Sequence, residues 1–147
     1  MKNKKYLFVY GSMKKGLTNH KRVSGADFIG VGKTVDKFMM HPALFYLFPY
    51  LIENGDNPHK QQVVGETYSV DNIIIETVID TLEGVPEYYY RKEIDVELES
   101  GKIVAADVYF ANIENGENEM DIDFPVAGWG FEDEAKGLRL ARFLGRF

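Results

Sequence analysis

The 147-residue sequence has no cysteine, one tryptophan, five prolines and three histidines. Without cysteine there are no disulfides, no thiol nucleophile and no thiolate metal site. His20, His41 and His59 lie far apart and form no H-E-x-x-H pair, so metal-assisted hydrolysis has little support. Positive charge is also short, with 17 Lys and Arg against 23 Asp and Glu, a net charge of -6 and a pI near 5.1. That balance argues against non-specific binding to a phosphate backbone. No apolar run approaches the roughly 18 residues that suggest a membrane helix. The basic-then-apolar start, MKNKKYLFVYG, is too short for a signal-peptide core and reads as a first strand. Gly25, Gly30 and Gly32 lack the G-x-G-x-x-G spacing and the following helix of a dinucleotide site. The expectation is therefore no cofactor, no metal, no nucleic-acid partner, no membrane and a reducing, cytoplasmic setting. The oligomeric state is left open.

What is present is 45% hydrophobic content at a length suited to one globular domain, residues 1–147. The organising stretch is LFVYGSMKKG, residues 7–16. Leu7, Phe8 and Val9 read as a buried strand that runs into Tyr10, Gly11 and Ser12. Glycine there permits a sharp turn or a close approach to a ligand. Such a turn can present backbone N–H groups as an anion nest, or it can be an ordinary strand-ending turn.

Further strands are predicted over 63–68, 93–98 and 103–110, together with 7–9 in one curved sheet or barrel. Glycines within 25–32 suit strand curvature or bulging, with Ile29, Val31 and Lys33 on one face. Residues 45–51, FYLFPYL, look like another strand, interrupted by Pro49. Residues 54–62 form a turn-rich loop, and Ser100-Gly101 marks a hairpin. From Asp71 or Asn72, either able to cap, a helix is expected with Ile75, Val78, Ile79 and Leu82 on one face. Three successive isoleucines, Ile73 to Ile75, keep a strand as the rival. Tyr90, Ile94, Val96 and Leu98 should face the core from the following strand. The acidic stretch 112–123 lacks a calcium-loop pattern and reads as a solvated loop. Trp129 sits between two glycines as a cavity cover or as an interface or core aromatic, and 132–147 looks helical.

Among the carboxylates, Glu83 alone combines a helix end, the Gly84 to Pro86 turn and an adjacent aromatic strand. Partial enclosure would raise its proton affinity and let it exchange a proton with substrate; the bland alternative is a helix-end carboxylate in water. Ser12 has no G-x-S-x-G context, which suits substrate positioning better than nucleophilic attack.

Two blocks resemble a known family. FVYGSMKKGLTNH, residues 8–20, is similar to the opening motif of the gamma-glutamylcyclotransferase-like family, and its Asn19-His20 pair resembles the gamma-glutamylamine cyclotransferase branch. TLEGVPEYYYR, residues 81–91, resembles the family's second motif. The resemblance implies an α+β fold, a small twisted mixed β-barrel with accompanying helices and a cavity at one end. It implies that Gly11, Ser12 and Met13 hold the substrate carboxylate through backbone N–H groups, with methionine where leucine is more usual. Tyr10 would line the cavity and Glu83 would transfer protons. Gly84, Pro86, Tyr89 and Arg91 match the rest of the second motif, and Tyr89 is counted among the substrate-binding residues. The implied partner is a small gamma-glutamyl compound, cyclised to 5-oxoproline with release of an amine. A non-catalytic domain that binds an amino-acid-like ligand in the same cavity is the alternative.

Overall fold

A computed structural model describes residues 3–10, 25–43, 48–53, 60–83, 85–86 and 89–111, excluding the side chains of 41–43, 48–50 and Leu82. Gly11, Ser12, Met13, Asn19, His20, Gly84, the 54–59 part of the polar loop, the acidic stretch 112–123, Trp129 and the expected helix at 132–147 lie outside the described residues.

Seven strands are described: β1 Lys4–Val9, β2 Asp27–Thr34, β3 Met39–Ala43, β4 Phe48–Ile52, β5 Val64–Asp71, β6 Tyr89–Leu98 and β7 Ile103–Ala111. Five of them close a barrel in the order β1-β5-β2-β6-β7. Pairing is antiparallel except where β1 meets β7 in parallel, at Leu7 and Asp107. The fold is thus a small mixed barrel with an accompanying helix, and all four predicted barrel strands are in it. β3 and β4 form a separate two-stranded ribbon whose register sets Pro42 opposite Pro49. A ribbon with free edges tolerates residues that cannot donate to a ladder.

Alternation along β1 builds two cores at once. Phe8 and Tyr10 join the barrel interior with Phe38, Met40, Leu51, Val63, Val96, Val108 and Phe110. Leu7 and Val9 point the other way, to Tyr68, Val70, Tyr109 and the helix residues Ile75 and Ile79. Burial on both faces explains why β1 reads as an unbroken apolar run. Each such side chain contributes roughly 1.5–3 kcal/mol relative to exposure. β6 follows its expected alternation, with Val96 and Leu98 buried and Tyr90 and Ile94 packed against the barrel core.

Two glycines mark close approaches. A Cβ on Gly65 would lie 2.6 Å from the Phe8 ring and 2.5 Å from the Val9 carbonyl oxygen. A Cβ on Gly32 would lie 2.3 Å from the Glu97 carbonyl oxygen. β2 also carries an irregularity between Phe28 and Gly30, so the simple face assignment for Ile29 fails there: Ile29 packs on the barrel core. The bulge adds a residue and resets the alternation.

The helix expected after Asp71 forms in three parts: α1 Asn72–Ile74, a π-helical segment Ile75–Ile79, and α2 Asp80–Glu83. The Asp71 side chain accepts from the Ile73 N–H, as a cap should. One expectation is corrected: Ile75 and Ile79 are buried, but Val78 is 39% exposed. The Asp80 N–H bonds to the Ile75 carbonyl, five residues back. That wider turn rotates the i+3 position away from the face and brings i+4 and i+5 onto it. Asp80 is the i+5 residue.

Candidate active site

The helix ends on Glu83 and the chain turns through Val85 and Pro86 into β6. The Val85 N–H closes this end by bonding to the Asp80 carbonyl at 3.0 Å. Glu83 is partly buried. Burial pushes its carboxyl up to about 7, and the negative charge of Asp80 adds to the rise. No described side chain donates a hydrogen bond to it. A carboxyl in that range can hold or release a proton near neutral pH, as a general acid or base must.

Tyr10 follows directly after β1 and is buried. Its hydroxyl donates to the Tyr109 carbonyl oxygen at 2.8 Å. Burial raises its proton affinity well above the ordinary phenol value, and the nearby Tyr89 and Glu83 push the same way. Tyr10, Tyr89 and Glu83 are therefore electrostatic neighbours, although 73 residues separate Tyr10 from Glu83. Tyr89 opens β6 and packs against the second core cluster. Three of the six candidate site residues are thus brought together; Gly11, Ser12 and Met13 follow Tyr10 in sequence but lie outside the described residues.

Around Arg91, which the second motif already marks, the structure adds Asp80, Asp107, Tyr109 and Lys5, none of them singled out by the sequence reading. Arg91 grips Asp80 with both ends of its fork, Nε to Oδ1 at 3.0 Å and Nη2 to Oδ2 at 3.1 Å. Its third nitrogen, Nη1, donates to Asp107, and the Lys5 ammonium lies 3.7 Å from the same carboxylate. The Tyr109 hydroxyl also donates to Asp80. Asp80 and Asp107 find their partners on other elements, so the local sequence does not mark them. The one available signal was Asp80 three residues before Glu83, a spacing that makes helix neighbours.

A family model described as "Gamma-glutamyl cyclotransferase, AIG2-like" matches residues 7–129. The chain belongs to this family. Its chemistry is accordingly of the gamma-glutamylcyclotransferase type, and membership supports cyclotransferase activity in general. Among relatives, a Methanocaldococcus jannaschii protein provisionally named a gamma-glutamylcyclotransferase is 43% identical over 106 residues, 71% of this chain and 82% of that one. A gamma-glutamylaminecyclotransferase of Danio rerio is 35% identical over 114 residues, covering 71% of this chain and 73% of its own. The crystal structure of a mouse AIG2-like protein superposes with a TM-score of 0.66 at 31% identity, covering 75% of this chain and 78% of that one. These relatives divide between the two branches of the AIG2-like family, and neither branch dominates.

Proposed function

We propose that this family member is an intramolecular cyclotransferase acting on gamma-glutamyl amines, with Glu83 as its proton carrier. The observation that supports the reading most is the partly buried Glu83 carboxyl, poised near 7 beside Tyr10 and Tyr89. A gamma-glutamyl amide carries its own nucleophile, the α-amino group, and its own electrophile, the γ-carbonyl. Attack closes a five-membered lactam, 5-oxoproline, and breaks the bond to the departing amine. The enzyme's first task is to fold the glutamyl chain so that these atoms meet, which gains the effective molarity of a unimolecular reaction. Its second is to take the ammonium proton and return it to the leaving amine, a sequence that one carboxyl near neutrality can serve.

In this reading Gly11, Ser12 and Met13 hold the α-carboxylate through backbone N–H groups, and Tyr10 and Tyr89 wall the cavity. The amine branch is preferred over peptide substrates on the strength of the Asn19-His20 pair and the gamma-glutamylaminecyclotransferase relatives. A panel of gamma-glutamyl compounds assayed for 5-oxoproline tests it. Release from gamma-glutamyl derivatives of simple or lysine side-chain amines is expected. Preferential release from glutathione would move the protein to the other branch, and release from none would favour a binding domain.

A further inference from the structure

The charged and titratable groups around Glu83 among the described residues are few enough to name. Asp80 shares its helix, and Tyr10 at the end of β1 and Tyr109 of β7 lie within reach of its charge; Tyr89 and Arg91 come from β6, and Asp107 of β7 and Lys5 of β1 join the group through Arg91. Arg91 is the cation that could neutralise a carboxyl at the helix end. It is directed elsewhere: Nε and Nη2 are held by Asp80 and Nη1 by Asp107. Tyr109 occupies Asp80 from a third direction.

We propose that Asp80 is a positioning residue for Glu83, clamped by Arg91 and Tyr109 so that a fixed negative charge, and not the guanidinium, is what the Glu83 carboxyl meets. This inference goes beyond the assignment of Glu83 as proton carrier and rests on it only for its consequence in turnover. The geometry that carries it is the π turn, which puts Asp80 on the inner face with Ile75 and Ile79, together with the bidentate pair that fixes its rotamer. With Arg91 held away, burial and a like charge both raise the proton affinity of the carboxylate at position 83, which suits it to take the ammonium proton and pass it to the leaving amine near neutral pH. Without the clamp, Arg91 would be free to pair with Glu83 and lock it as a carboxylate with no proton affinity near neutral pH.

The test reads Glu83 directly. In protein labelled with 13C at glutamate carboxyl carbons, the Glu83 signal is identified by its loss in Glu83→Gln and is followed against pH. In the unmodified chain the midpoint is expected near 7. Asp80→Asn keeps the shape, removes the charge and is expected to lower the midpoint by about one pH unit or more. Arg91→Gln removes the cation from the same cluster and is expected to raise it. A folded Asp80→Asn protein whose Glu83 midpoint stays put overturns the proposal. If Asp80→Asn does not fold, a midpoint that falls or does not move in Arg91→Gln overturns it instead. The acid limb of turnover should follow the same shifts. A midpoint that moves as stated, in an enzyme whose turnover ignores Glu83, supports the clamp and rejects the proton-carrier reading.

Discussion

Glu83 differs from the other helix-end carboxylates of the chain in what surrounds it, and that difference has a sign that can be measured. Its folded value near 7 lies above the ordinary 4.5. Folding therefore favours the protonated form, so the stability tied to this group is fully present below about 4.5 and is lost as pH rises through about 7. A rise of that size corresponds to roughly 3 kcal/mol of lost stability at alkaline pH. Denaturant unfolding of Glu83→Gln, compared with the unmodified chain at pH 5 and pH 8.5, should show the variant gaining on the parent at the higher pH. Equal pH dependence in the two proteins would place Glu83 in water. Tyr10 supports a second prediction at this scale. Tyr10→Phe removes the hydroxyl donor to the buried Tyr109 carbonyl oxygen. The expected loss is roughly 0.5–1.5 kcal/mol in the same unfolding assay, at every pH below the phenol range.

The helix between Asp71 and Glu83 shows how an element can be right in kind and wrong in phase. Its existence was legible from the Asp71 cap, the apolar spacing and the Gly84-Pro86 stop. The π segment was not, because propensity and periodicity do not distinguish one widened turn from a regular one. Ile75 and Ile79, four residues apart across the widened turn, are the pair that packs with Leu7, Val9, Tyr68 and Val70 of β1 and β5. Substitution separates the two geometries. Ile75→Ala and Ile79→Ala should each cost about 2–5 kcal/mol, whereas Val78→Ala should stay within about 0.5 kcal/mol. Equal losses at Val78 and Ile79 would restore the regular helix that the sequence suggested. On the strand side, Gly65→Ala places a methyl against the Phe8 ring and the Val9 carbonyl. Overpacking of this kind is expected to destabilise by about 1–3 kcal/mol, visible as a lower thermal midpoint.

At the scale of the whole molecule, the barrel was readable because four of its five strands carry a local signature. The run at 7–9, the alternation of Tyr90, Ile94, Val96 and Leu98, and the Ser100-Gly101 hairpin need no distant partner to be recognised. Gly101 takes the positive φ of 90° that its turn requires. The break between β2 and β3 was less visible. It is set by Thr34, whose hydroxyl donates to the Asp36 carbonyl and accepts from the Val63 N–H, a contact across 29 residues. The attachment of the β3-β4 ribbon was likewise hidden. Glu53 accepts from the Tyr90 hydroxyl at 2.6 Å and from Lys92, tying the end of the ribbon to β6. Of the candidate site, Tyr10 and Glu83 stood out from their neighbours in sequence. Asp80, Arg91, Asp107 and Tyr109 form one cluster only after the helix, β6 and β7 have assembled. Long-range ion pairs leave no local pattern, so sequence reading cannot place them.

The central claim is that Glu83 carries the proton in gamma-glutamyl cyclisation. It is tested most directly by 5-oxoproline release from a gamma-glutamyl amine between pH 5 and 9, in the unmodified enzyme and in folded Glu83→Gln. The parent should show kcat/KM rising through a limb near 7, as the carboxylate needed to accept the ammonium proton forms. Glu83→Gln should lose roughly two to four orders of magnitude in turnover and lose that limb, while a non-cyclising glutamyl analogue still binds. Near-normal turnover by the folded variant, with the limb in place, would contradict the account.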